Sequence, residues 1–247
     1  MTPPRTPAPT ESRGGQAIDV AYQPFIEFRT GAMVGAEALA RFPGRSTAHV
    51  LRRAELTGRS EAIDLAVLRR VIDELQGDPG QTLPVYVNVS SASIPLPGYL
   101  STVRRWLRAA PGVGPRLVFD VTETAPLPGA TAVRRFVGAI RELGARIAVD
   151  DVPAGYDRVY AISLLQPDVV KLDGDTLRRS LEDASERVRI EAMTIMAHDH
   201  GATLIAEGIE APVHVEAALR FGAAIGQGYH LGRPRCCPLA DVHPFQL

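Results

Sequence analysis

Cysteine is nearly missing from this 247-residue sequence: there are two, Cys236 and Cys237, and they are neighbours. A vicinal pair makes no disulfide framework and lacks the spacing of a metal site. It reads as two small residues near the C-terminus rather than a redox switch. Excess charge is missing too. Twenty-seven Lys and Arg against twenty-eight Asp and Glu leave a net charge of -1, with an isoelectric point near 6.6. That balance gives no whole-surface attraction to a nucleic-acid polymer or to anionic lipid. No apolar run approaches the roughly 20 residues that cross a bilayer. Met1-Thr2-Pro3-Pro4-Arg5 lacks the apolar stretch of a secretory signal. A cytoplasmic protein with no membrane segment is the expectation.

What is present suits a packed core. Hydrophobic residues make up 45% of the chain and charged residues 22%, the balance of a soluble globular domain. Residues 1–16 are rich in Pro, Thr, Ser and Gly and have no apolar period, which predicts a disordered tail. Residues 17–247 are expected to form a single α/β domain.

Short apolar runs alternate with amphipathic segments along that domain. The runs Ala21–Phe28, Ala32–Leu39, Val85–Val89, Leu117–Thr122, Arg146–Asp150, Val169–Leu172 and Thr203–Ala206, with a short one at Ala224–Gly226, read as buried strands. Between them, Ser60–Leu75 places Ile63, Val67, Val71 and Leu75 at helical spacing. Thr131–Leu143 does so with Val133, Phe136, Val137 and Ile140. Ser185–His200 does so with Val188, Ala192, Ile195 and Met196. Gly144 and Gly201 follow the last two as stops. Strand–helix alternation implies a parallel sheet, and about eight strands in this length fit a TIM-like (β/α)8 barrel.

Strand after strand then ends in an acid or an amide. The second run ends at Glu37-Ala38-Leu39, Val85-Tyr86-Val87 runs into Asn88, Leu117-Val118-Phe119 into Asp120 with Glu123 three residues later, and Ile147-Ala148-Val149 into Asp150-Asp151. Lys171 and Asp173 end the sixth, Glu207 and Glu210 the seventh, and Gln227 follows the last. In a parallel barrel these ends share one rim, where active sites form. Carboxylates packed so closely repel unless a cation offsets them. Oxygen-only ligands favour Mg²⁺, Mn²⁺ or Ca²⁺ over zinc, and paired ions are a recurring device for attack on phosphodiesters. A lone acid at a strand end is usually a cap or a solvated residue; the consecutive set argues for a site. His198 and His200 sit two apart on a helix and so face apart. His230 lies near the rim, and Trp106 is expected to pack on the barrel.

The ordered motifs resemble the EAL-domain family of bacterial cyclic di-GMP phosphodiesterases from about Tyr22 to Pro234. They are Tyr22-Gln23-Pro24, Glu37-Ala38-Leu39-Ala40-Arg41, Val87-Asn88-Val89-Ser90, Asp120-Val121-Thr122-Glu123, Asp150-Asp151, Val170-Lys171-Leu172-Asp173, Ala206-Glu207-Gly208-Ile209-Glu210, Gln227-Gly228-Tyr229 and Gly232-Arg233-Pro234. The resemblance implies a modified barrel, two Mg²⁺ or Mn²⁺ ions and hydrolysis of cyclic di-GMP to linear pGpG. It implies that Glu37, Asn88, Asp120, Asp150, Asp151 and Glu207 surround the metals. Lys171 would contact the catalytic water and Glu207 would accept a proton. Arg41 would pair with a substrate phosphate, and Gln23, Leu39 and Gln227 would help hold the dinucleotide. Glu123 would support the loop after the aspartates, which in the family also makes homodimer contacts. No regulatory partner is identified.

Two departures stand out. Asp120 replaces the family's Glu, and the shorter arm withdraws its oxygens by about 1.5 Å, where a metal bond tolerates about 0.2 Å. The loop after Asp150-Asp151 reads Val152-Pro153-Ala154-Gly155-Tyr156-Asp157 where the family has Phe-Gly-x-Gly-Tyr-Ser, and Pro153 forbids the positive φ that Gly allows. Two functions follow from the resemblance: an active phosphodiesterase, or a catalytically weak or inactive cyclic di-GMP receptor that signals through a partner surface.

Overall fold

In the computed structural model of the chain, which describes residues 10–11, 17–122, 126–150 and 156–243, the apolar runs become strands and the segments between them helices. The strands are β1 (Thr10–Glu11), β2 (Ala17–Glu27), β3 (Met33–Arg41), β4 (Val85–Ser90), β5 (Leu117–Thr122), β6 (Arg146–Asp150), β7 (Val169–Leu172), β8 (Thr203–Ala206) and β9 (Ile225–Gly226). The helices are α1 (Thr47–Leu56), α2 (Ser60–Gly77), α3 (Pro97–Ala109), α4 (Ala130–Glu142), α5 (Tyr156–Leu165), α6 (Gly174–Arg179), α7 (Ala184–Asp199) and α8 (Pro212–Arg220). β3 to β9 run parallel, each beside the next. β2 pairs with both β3 and β9 and closes an eight-stranded TIM-like barrel.

One strand corrects the all-parallel expectation: β2 is antiparallel to both neighbours. Only residues 28–32 separate it from β3, and a parallel crossover needs a dozen or more. β1 adds an antiparallel pair to Ala17 and Ile18. The remaining residues of the expected tail, 1–9 and 12–16, lie outside the described residues.

The barrel interior is built in layers with the two-residue period of strands. Phe25, Tyr86, Val118, Ala148, Val169 and Ile205 fill one buried layer, with Ile225 packed against it. The Phe25 and Tyr86 rings lie 4.6 Å apart. Two residues nearer the rim, those strands carry Gln23, Asn88, Asp120, Asp150, Lys171, Glu207 and Gln227. On reversed β2 the rimward residue has the lower number, so Gln23 falls at the same end.

Helices cover the outside. Val67, Leu68, Val71, Ile72 and Leu75 of α2 and Val133, Phe136, Val137 and Ile140 of α4 are buried against the strands. Each large side chain so covered contributes about 1.5–3 kcal/mol. Gly144 and Gly201, at φ 76° and 70°, follow α4 and α7 in the left-handed region. Trp106 packs against the same core, with the Arg69 guanidinium 5.7 Å from its ring. α7 departs from expectation. It buries Ile190, Met193 and Ala197, whereas Val188 and Ile195 are 63% and 62% exposed. Among the described residues, no helix is long and apolar enough to cross a membrane.

Candidate active site

Lys171 stands at the centre of the rim. Its ammonium is fully buried, 2.8 Å from Asp120 Oδ2, 3.1 Å from Asp150 Oδ2, 2.5 Å from Glu207 Oε1 and 3.8 Å from Glu37 Oε2. Phe25 lies beneath it, 5.9 Å from Nζ to the ring centre. Burial alone would lower the lysine's pKa, but the four carboxylates win and hold it well above the ordinary value. Asp120 is pushed up to about 8, first by burial, with Asp150 and Glu37 adding to it and Lys171 opposing. Burial likewise raises Glu207 well above the usual carboxylate range. One ammonium therefore does not offset the acids around it.

Amides fix the remaining acid. Glu37 accepts from Asn88 Nδ2 at 2.8 Å and from Gln227 Nε2 at 3.0 Å. Gln23 Nε2 donates to the Gly232 carbonyl at 2.9 Å. Gly228 passes so close to Ile209 that a Cβ there would sit 2.1 Å from the Ile209 carbonyl oxygen, so only glycine lets the Gln227 turn lie against the Glu207 turn.

The donor set fits a divalent cation. Oxygens of Glu37, Asp120 and Asp150 lie within 4.8 Å of one another, all three residues buried. Asp120 Oδ1 and Asp150 Oδ1 are buried with no hydrogen-bond partner among the described residues. Orphaned carboxylate oxygens at such a point are costly unless a cation takes them. Asp120 reaches this cluster despite its short arm. Asp151, Glu123 and the altered loop through Gly155 lie outside the described residues.

Two cavities lie side by side, Leu39 lines both, and the larger borders the cluster. One, of about 270 Å³, is bounded by Ala38–Arg41, α1, α2, Asn88, Ser90 and Thr122. The other, of about 350 Å³, is bounded by Gln23, Glu37, Asp150, Glu207, Glu210, Gln227 and Tyr229. Arg41 therefore belongs to the first cavity, and its Nη1 donates to the Ala40 carbonyl at 2.9 Å. Tyr229 is 50% exposed at the lip of the second, with the Arg233 guanidinium 4.3 Å from its ring. His198 and His200 are exposed and distant in role; His230 donates its backbone N–H to Ile209.

Sequence reasoning missed two residues. Asp64 on α2 lines the first cavity, and its place on the helix's apolar stripe with Leu68, Val71 and Leu75 was a legible signal. His214 on α8 holds the Glu210 backbone. Lys171 carried a signal of its own: it is the one lysine in the sequence.

The model of the EAL domain matches residues 11–234. The chain belongs to the EAL domain family. An uncharacterized protein of Azorhizobium caulinodans is 28% identical over 248 residues, covering 95% of this chain and 34% of that protein. Among solved structures, the EAL fold recurs in the Pseudomonas aeruginosa MucR phosphodiesterase in complex with c-di-GMP, at TM-score 0.79 and 26% identity over 88% of this chain and 92% of that one. It recurs in an EAL domain protein of Listeria monocytogenes at TM-score 0.78, 20% identity and 89% of each chain. This EAL chain spans about a third of the length of the first curated relatives it matches.

Proposed function

We propose that this EAL domain hydrolyses cyclic di-GMP to linear pGpG, in the cytoplasm, with two divalent cations, Mg²⁺ or Mn²⁺. The observation that carries the reading is the cluster of acids, with two orphaned buried oxygens, beside a cavity that meets a second one at Leu39. A two-base ligand joined through phosphates suits that arrangement: one base in each cavity, a phosphate over the acids.

In this reading Glu37, Asn88, Asp120, Asp150, Asp151 and Glu207 hold the cations. When bound, the ions supply an activated water and offset charge that builds on the phosphate. Lys171 keeps its ammonium and so can orient a water and compensate negative charge in a dry site. Glu207, 2.5 Å from the Lys171 ammonium at the edge of the second cavity, is placed to accept the proton. Arg41 offers a fork to a phosphate, and Tyr229 with Arg233 offers a stacking platform to a base. Gln23, Leu39 and Gln227 line the path of the ligand, and Glu123 supports the loop after Asp151. The test is incubation with cyclic di-GMP and Mg²⁺ or Mn²⁺, following pGpG by chromatography. Product is expected from the wild-type chain and not from Glu37→Ala.

A second reading, a receptor that binds cyclic di-GMP without cleaving it, draws on Asp120. Its carboxylate is shorter than the family's and already engaged by Lys171 at 2.8 Å. Nucleotide binding without added metal, together with no pGpG, would favour it. Self-association is a part of the proposal that gel filtration of the purified chain would decide.

A further inference from the structure

We infer that His214 is a positioning residue, setting the turn that carries Glu207 and Glu210 into the site; the metal part of this inference rests on the function proposed above. β8 ends at Ala206, and Glu207 still donates its backbone N–H to the Leu172 carbonyl at 2.8 Å. From Gly208 to Ala211 the chain leaves the sheet and then enters α8. The capping residue Ala211 offers α8 no side-chain hydrogen bond.

His214, buried at 8% exposure on the first turn of α8, reaches back instead. Its Nδ1 accepts the Glu210 N–H at 3.1 Å. In capping boxes a third-position Glu or Gln makes a similar backward reach to the N–H of the capping residue itself; His214 reaches one residue further, to Glu210. As acceptor, Nδ1 must carry no proton, which fixes the tautomer with hydrogen on Nε2. The rest of the turn is tied to its neighbours: Arg178 Nη1 donates to the Gly208 carbonyl at 3.2 Å, and Ile209 donates to the Gln227 carbonyl at 3.0 Å. His214 is thus the tie from α8, and it acts on the residue where the turn swings past the second cavity.

Glu210 is exposed, so water can replace a lost acceptor. Removing Nδ1 therefore loosens the turn without unfolding the barrel. Outer residues that orient a metal ligand change metal affinity by about 10–100-fold when lost. A turn three residues from Glu207 belongs at the low end of that range.

The experiment compares wild type, His214→Ala and His214→Asn in the full chain. Asn places Oδ1 near the position of Nδ1 and restores an acceptor. Exchange of the Glu210 amide, followed by NMR without metal, should speed up about tenfold in His214→Ala and slow again in His214→Asn. Mn²⁺ titration by calorimetry should show about tenfold weaker binding in His214→Ala, largely recovered in His214→Asn. Unchanged exchange in His214→Ala overturns the inference, as does equal weakening in both variants, which would mark simple packing. Wild-type protein that binds no Mn²⁺ overturns the proposed function and the metal half of the inference, while the exchange rates still decide the turn.

Discussion

On α2, Asp64 points its carboxylate inward. Oδ2 accepts from the Ser90 N–H at 3.0 Å and from the Ser93 hydroxyl at 2.7 Å. Burial pushes its pKa up to about 7 from 3.8; those two hydrogen bonds oppose the rise and Glu61 adds to it. Between those values the folded chain keeps a proton that the unfolded chain has released. Stability therefore falls as pH rises from about 4 to about 7, then levels off. The ceiling on this contribution is about 4 kcal/mol, reduced by water that reaches the cavity Asp64 lines. Asp64→Asn keeps an acceptor for both donors and removes the charge. Melting temperatures taken across pH 4–8 should drop less in Asp64→Asn than in wild type, and the variant should be the more stable at pH 8. Parallel curves would show that Asp64 stays charged. The acid on an apolar stripe was legible in the sequence. Its partner Ser93, 29 residues downstream, was not, because only the folded barrel brings α2 beside the end of β4.

At the scale of elements, strand positions were legible and two orientations were not. The inward-facing residues alternate with a period of two, and the polar ones fall at the last turn of that period on strand after strand. That pattern placed Asn88, Asp120, Asp150 and Lys171 on one rim. The direction of β2 was written in the short 28–32 connection rather than in the strand. α7 offered two apolar stripes at the same spacing, Val188–Ala192–Ile195 and Ile190–Met193–Ala197, with no clean polar face to separate them. The structure buries the second. Ile190→Ala should then cost about 2–5 kcal/mol, the range for a buried aliphatic truncation. Ile195→Lys should stay within about 0.5 kcal/mol of wild type. Urea denaturation midpoints check both, and the reverse ranking would place the first stripe in the core.

Closing eight strands into a barrel forces Glu37, Asp120, Asp150 and Glu207 around one ammonium, although they are separated by up to 170 residues of chain. Each acid alone reads as a strand-end cap; their convergence belongs to the whole molecule. So does the cost, since folding itself brings the like charges together. A cation that binds only the folded site must then stabilise the entire barrel. At free Mn²⁺ a hundredfold above its dissociation constant, the gain is about 2.7 kcal/mol. For a chain of this size each kcal/mol moves the melting point by about 2–4 °C, so the expected rise is about 5–11 °C. Glu37→Ala should lose most of that response. Lys171→Met should behave differently. Without the ammonium the buried acids are unpaired, so the metal-free protein should lose about 3–5 kcal/mol, while its rise with Mn²⁺ should be at least as large as that of wild type. A metal response abolished equally by both substitutions would mean that Lys171 builds the cation site rather than competing with the cation for the same carboxylates.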